Sequence, residues 1–149
     1  MKIYNLIVSL ILKKRNQRIK LFIDQPHKVQ EKLRHYLINK AKNTEFGRAY
    51  DFNSIKNSKD FSERIPIHSY EALEPYIKRM RSGEENVLWP TEIKWFAKSS
   101  GTTNNKSKFI PVSKEAIEDC HYKGGKDLLS IYCNNYPVKN VFEGKTLML

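Results

Sequence analysis

The chain has 149 residues, 27 Lys and Arg against 16 Asp and Glu, a formal net charge of +11 and 40% hydrophobic residues. That apolar fraction excludes a disordered tail, and a chain this long buries roughly 70% of its extended surface, enough for one core without staples. Two cysteines exclude a secreted disulfide framework. Cys120 and Cys133 fall on one predicted helix, roughly 20 Å apart, too far to bridge. A reducing cytoplasm is the setting this suggests. Residues 1–50 carry twelve Lys and Arg against three Asp and Glu, a net of +9, whereas residues 51–100 balance at eight and eight. The basic excess is therefore mostly an N-terminal property.

In chain order, residues 3–22 read as a helix with Ile3, Leu6, Ile7, Leu10, Ile11, Leu21 and Phe22 on its apolar side. The apolar run Ile3–Leu12 resembles a signal peptide, but Lys13, Lys14, Arg15, Arg18 and Lys20 follow it instead of a small-residue cleavage site. Ten such residues are also too few to span roughly 30 Å of hydrocarbon, so a surface or docking helix is expected. Pro26 suits the first turn of a second helix, on which Val29, Leu33, Tyr36, Leu37 and Ala41 form an apolar stripe. Thr44–Asp51 reads as a loop, and Asp60–Arg64 as a short helix stopped by Pro66. Ser69 caps a helix over Tyr70–Leu73, Pro75 opens or bends the next stretch, and Gly83 closes it; Tyr76, Ile77 and Met80 share a face.

Strand signals follow. Ile93–Lys98 is partly alternating, Lys108–Val112 is a short second strand at whose edge Pro111 fits, and Ser99–Lys106 is a polar turn between them. Ser113 then caps a long helix whose apolar face is Ile117, Cys120, Gly124, Leu128, Leu129 and Tyr132. A loop over Asn134–Gly144 leads to Thr146–Leu149, which reads as a buried strand continuing into further protein. Trp89 and Trp95 read as core.

The chemistry concentrates between the two strands. Ser99, Ser100, Thr102 and Thr103 supply hydroxyl donors, Gly101 lets the backbone approach an anion closely, and Lys106 or Lys108 adds positive charge. Successive N–H groups in such a turn form a nest suited to phosphate. No His or acid lies nearby in sequence to activate a nucleophile, so the role is to bind and polarise phosphates. Competing motifs fail: Gly144-Lys145-Thr146 would need a glycine at position 139, where Lys139 stands. His27, His35, His68 and His121 have no partners at metal-site spacing.

Ser99-Ser100-Gly101-Thr102-Thr103 followed by Lys108-Phe109-Ile110-Pro111 resembles the phosphate-loop signature of the auxin-responsive family of acyl-acid–amido synthetases, within the adenylate-forming acyl-activating superfamily. Thr44–Arg48, Ile65-Pro66, Tyr70, Glu71, Leu73, Pro75–Ile77 and Leu88–Pro90 extend the resemblance, which is greatest to the bacterial branch. It implies that a carboxylic acid attacks the α-phosphate of ATP, bound with Mg2+, and that an amino acid amine then captures the acyl group. It further implies phosphate contacts from Ser99, Ser100, Gly101, Thr102, Thr103 and Lys108. Two departures accompany it. Asn104-Asn105 replaces a further glycine, and Glu118-Asp119-Cys120 stands where plant members carry arginines that hold the acid.

The expected fold class is α/β: a mostly helical N-terminal portion with a β-hairpin around a phosphate loop, part of a larger adenylate-forming domain. Residues 1–43 form a basic helical segment, 44–90 a helix and loop segment, and 91–149 the hairpin, phosphate loop, long helix and truncated strand. Family enzymes are several times longer, so adenine-binding segments and a C-terminal domain are expected beyond this fragment, which alone would be inactive. The alternative is a small basic helical module binding nucleic acid or an anionic membrane surface through residues 1–50. No zinc finger, RNP-like strand or helix-turn-helix spacing supports the nucleic-acid version.

Overall fold

The computed structural model describes residues 3–99 and 107–136. They fall into two units, one within residues 27–117 and one built from stretches within 1–26 and 118–149. The described elements are mostly helical, with a single two-stranded sheet.

In the 27–117 unit, α2 (Pro26–Ala41) starts where Pro26 predicts. Its inward face differs from the stripe expected. Leu33, Tyr36 and Leu37 are exposed, while Ile38 and Ala41 are buried. Only the last turn reaches the core. One turn earlier the half-buried Arg34 donates to Glu31 and, at 3.1 Å, to the Lys56 carbonyl.

Thr44–Asp51, expected as a loop, contains the helix α3 (Glu45–Ala49). Three of its first-turn N–H groups, the donors that a helix leaves unpaired, all find acceptors. Glu45 N–H donates to the Asn86 carbonyl (2.7 Å) and Phe46 N–H to the Val87 carbonyl (3.2 Å). Gly47 N–H donates to Thr44 Oγ1 (3.0 Å). The Thr44 hydroxyl donates in turn to the Ala41 carbonyl at 2.7 Å, and Thr44 is fully buried. This junction brings α3 so close to the end of α2 that a Cβ on Gly47 would lie 2.0 Å from the Ala41 carbonyl oxygen.

A 3-10 turn (Phe52–Ser54) follows Asp51, which is left-handed at φ 44° and 3.0 Å from Arg64. Helix α4 (Ser58–Arg64) begins two residues before the predicted start. Asn57 Oδ1 accepts from Asp60 N–H and Asp60 Oδ2 from Lys56 N–H, both at 2.9 Å, a reciprocal cap. Helix α5 (Tyr70–Arg81) has Ser69 as its N-cap and runs through Pro75 as one helix. It ends in a Schellman arrangement: Gly83 N–H bonds the Met80 carbonyl and Glu84 N–H the Arg79 carbonyl, both at 3.1 Å. Gly83 has φ 87°, the left-handed geometry that glycine adopts without steric cost.

Two apolar clusters make the core of this unit. Ile38, Ala41, Phe52 and Ile55 form one; Met80, Val87 and Ile93 form the other. Trp89 packs against both. Its indole N–H donates to Glu115 Oε2, and Lys40 Nζ reaches Glu115 Oε1, each at 3.2 Å. Trp95, expected in the core, is 67% exposed; the next residue along the strand, Phe96, packs against the Met80, Val87 and Ile93 cluster instead.

Arg79 binds two acids at once. Its guanidinium grips Glu45 in bidentate fashion (3.1 and 2.6 Å) and also bonds Glu84. These hydrogen bonds hold the carboxyls of Glu45 and Glu84 below their ordinary value of 4.5. Glu31, Asp60, Glu71 and Glu115 are also lowered. A carboxyl depressed on folding contributes stability that is present above its unfolded pKa and lost as pH falls through the folded one. The urea midpoint should therefore hold from about pH 7 to about pH 5 and fall between roughly pH 4.5 and pH 3. Arg79→Gln should lower the midpoint at neutral pH and make the acid limb shallower. An acid limb of unchanged steepness would show that Arg79 is not the source.

In the other unit, α1 (Ile3–Asp24) packs against α6 (Lys123–Asn135), and among the residues whose side chains are described Leu12 and Ser130 are buried. The buried Ser130 hydroxyl donates to the Leu12 carbonyl at 2.6 Å. Arg15 Nε donates to Asp127 at 2.5 Å, and its Nη2 to the Lys123 carbonyl at 3.2 Å. Of the residues expected to face inward, Ile11, Leu21, Phe22, Leu128 and Tyr132 are exposed, while Leu129 is half-buried. After Ser113, whose Oγ accepts from Ala116 N–H at 3.1 Å, residues Ala116–Tyr122 are wound as a π-helix before α6. That winding offsets the α-helical period on which the expected face was drawn. Cys120 and Cys133 are both free. Among the described residues no helix is long and apolar enough to cross a membrane. The segment expected as a strand, Thr146–Leu149, lies outside the described residues.

Candidate functional site

The candidate site is the hairpin of the 27–117 unit. Strand β1 (Trp95–Ser99) pairs antiparallel with β2 (Lys108–Val112) in the register Trp95 opposite Val112 through Ser99 opposite Lys108. β2 has the predicted bounds, whereas β1 begins at Trp95 because Ile93 is buried in the core cluster. Of the phosphate contacts expected from sequence, Ser99 and Lys108 form the last rung of the ladder, directly opposite each other. Ser100, Gly101, Thr102 and Thr103, with Lys106, lie outside the described residues.

Helix α5 anchors this hairpin. The Tyr70 hydroxyl accepts from Phe109 N–H at 2.9 Å and lies 3.4 Å from the Phe109 carbonyl oxygen, to which it donates. It thus occupies the backbone edge of β2 that faces away from β1. The Arg81 guanidinium stacks on the Phe109 ring, with Cζ 3.8 Å from the centroid. Lys108 Nζ lies 3.5 Å from Glu71 Oε1 and 5.1 Å from the Tyr70 ring centroid. A cavity of about 340 Å³ opens beside this junction, lined by Tyr70, Ile77, Lys78, Arg81, Lys98 and Phe109 among others. Lys78 pairs with Glu74 at 3.2 Å. Lys78, Arg81 and Lys98 give the lining three cations against the single carboxylate of Glu74, which suits an anion.

A larger hollow of about 770 Å³ lies on the other unit, between Tyr122, Gly124, Gly125 and Leu128. It is mostly apolar and has none of the residues that the sequence singles out for phosphate. Among the described residues no cluster of His, Cys, Asp or Glu is placed to hold a metal. His68 instead bonds the Tyr50 hydroxyl at 3.1 Å.

Sequence reasoning identified Ser99 and Lys108 but not the parts of Tyr70, Glu71 and Arg81 at the hairpin. Tyr70 and Glu71 stood out only as shared family residues. Their meeting with β2, 39 residues away for Tyr70 and Phe109, is a tertiary event that no local pattern shows.

The chain is similar in sequence to known proteins. The chain is 32% identical over 123 residues to indole-3-acetic acid-amido synthetase GH3.4 of Arabidopsis thaliana, covering 82% of this chain and 20% of that protein. It is 31% identical over 94 residues to GH3.2 of the same plant (62% and 17%). With the jasmonoyl–L-amino acid synthetase JAR4 of Nicotiana attenuata it shares 34% identity over 92 residues (61% and 16%). The chain thus spans a fifth or less of the length of these relatives. Residues 15–149 match the model of the GH3 family N-terminal domain, and the chain belongs to the GH3 family.

Proposed function

We propose that this chain is the N-terminal part of an ATP-dependent acyl-adenylating enzyme that conjugates a carboxylic acid to an amino acid. The observation that carries the reading is family membership together with the hairpin, whose last rung joins Ser99 to Lys108 around a Ser-Ser-Gly-Thr-Thr sequence. The matched relatives are named for joining an acid, indole-3-acetic or jasmonic, to an amino acid, which supports these substrate classes. Because the chain spans so little of their length, the reaction is proposed for the longer protein and not for these 149 residues alone.

In this reading a carboxylate oxygen attacks the α-phosphorus of ATP, the bond to pyrophosphate breaks, and an acyl-adenylate forms. The amine then attacks the acyl carbon, loses a proton and expels AMP. Ser99, Ser100, Gly101, Thr102, Thr103 and Lys108 would bind the β- and γ-phosphates and steady the charge that builds on departing pyrophosphate. Mg2+ would accompany the nucleotide, as the family resemblance implies. A reducing cytoplasmic setting fits the two free cysteines. Family membership favours this reading over the basic-module alternative; in the basic segment Arg15 is paired with Asp127 and Arg34 with Glu31.

The test is carboxylate-dependent exchange of pyrophosphate into ATP by the longer protein. Replacing Thr102→Ala and Thr103→Ala together should slow exchange about a hundredfold, the scale for losing aligned donors to a developing anion. Unchanged exchange would show that the loop assignment is wrong.

A further inference from the structure

Lys108 is the one residue of the proposed phosphate set, among those described, with a charged side chain, and it is already engaged by a carboxylate. Its backbone is fixed twice, by the ladder to Ser99 and by the Tyr70 clip on the next residue, Phe109. Glu71 sits in the first turn of α5, and its own backbone N–H and the Ser69 hydroxyl, ahead of Lys108, lower its pKa below the ordinary value. The ammonium is the movable partner, since it rides on a flexible four-carbon stem. The pair is open to solvent, with side-chain exposures of 35% for Lys108 and 59% for Glu71, so a ligand can reach it.

We infer that Glu71 is a resident counter-ion of Lys108, which an incoming polyphosphate must displace to recruit the lysine. The inference rests on the proposed phosphate-binding role of the hairpin. In the unliganded protein the carboxylate neutralises the ammonium. On binding, the ammonium exchanges one carboxylate for the more highly charged phosphate chain, and Glu71 is left at the N-terminus of α5, where the helix dipole tolerates its charge. Glu71 therefore tempers affinity for the anion, and Lys108 is the residue through which it acts.

The test is calorimetric titration of the longer protein with inorganic tripolyphosphate at neutral pH and fixed low salt. Glu71→Gln should bind about three- to fivefold tighter, the scale of a solvent-exposed charge pair. Lys108→Gln should bind more weakly, and the double variant should match Lys108→Gln, because the effect of Glu71 passes through the lysine. Glu85→Gln, with the same change of charge elsewhere on this unit, should stay within about twofold of the unaltered protein. If Lys108→Gln weakens binding but Glu71→Gln does not tighten it, the counter-ion inference falls and the phosphate role stands. The inference also falls if the double variant still gains over Lys108→Gln. If the unaltered protein fails to bind, or Lys108→Gln binds equally well, the phosphate role of Lys108 falls and the inference with it.

Discussion

Replacing Gly47 with alanine should destabilise the 27–117 unit by about 3 kcal/mol, the upper end of what an extra methyl costs in a packed site. The added Cβ would lie 2.0 Å from the Ala41 carbonyl oxygen, 2.9 Å from its carbon and 3.0 Å from the Lys42 carbonyl carbon. All three are backbone atoms at the end of α2, and none can rotate away as a side-chain tip would. Relief requires α3 to shift outward. That movement lengthens the bonds from Glu45 and Phe46 N–H to the Asn86 and Val87 carbonyls, now 2.7 and 3.2 Å. The thermal midpoint should fall by about 10 °C, followed by the fluorescence of Trp89, which touches both core clusters. A loss under about 1 kcal/mol would mean that the α2–α3 junction is looser than described.

Thr44→Val should cost about 2–3 kcal/mol although the two side chains have nearly the same shape. The Thr44 hydroxyl accepts from Gly47 N–H and donates to the Ala41 carbonyl. Both Thr44 and Gly47 are buried, so water cannot replace what is lost. An unpaired buried amide costs roughly 1–3 kcal/mol and a lost helix cap roughly 1 kcal/mol, partly the same energy. Thr44→Ser, which keeps the hydroxyl and gives up a methyl, should cost about 1 kcal/mol. Urea titrations of the two variants side by side separate the hydroxyl from the methyl. Equal losses would contradict the capping role.

These two residues also show where the sequence is hard to read. Helix α3 has five residues and a glycine, too short and too weak in intrinsic preference to be recognised alone. Its N-terminus is paid for by carbonyls about forty residues further along, at Asn86 and Val87. By contrast, α5 was legible because its signals are local: Ser69 caps one end, Gly83 closes the other, and Ile77 and Met80 face the core. The bounds of β2 were legible from its strand formers and its closing Ser113.

The faces of α2 and α6 were misjudged for different reasons. On α2 the expected stripe fails at Leu33, Tyr36 and Leu37 but holds at Ala41, which meets the core together with Ile38 from outside the stripe. On α6 the described contacts with α1 include polar ones through Ser130 and Asp127, which a search for apolar period passes over. At the site, Ser99 and Lys108 were named from residue type and resemblance, while Tyr70, Glu71 and Arg81 needed the fold to bring α5 to the hairpin.

The central claim is that the longer protein activates a carboxylic acid by adenylation, with the hairpin of this chain holding the phosphates. Oxygen-18 in the carboxyl group of an acid that supports pyrophosphate exchange follows the bonds directly. The account predicts one labelled oxygen in AMP, because the oxygen that attacks the α-phosphorus stays with it when the amine expels AMP. It also predicts that Thr102→Ala with Thr103→Ala slows the appearance of that label. Label in inorganic phosphate alongside ADP would contradict the account, since it would place the attack on the γ-phosphorus.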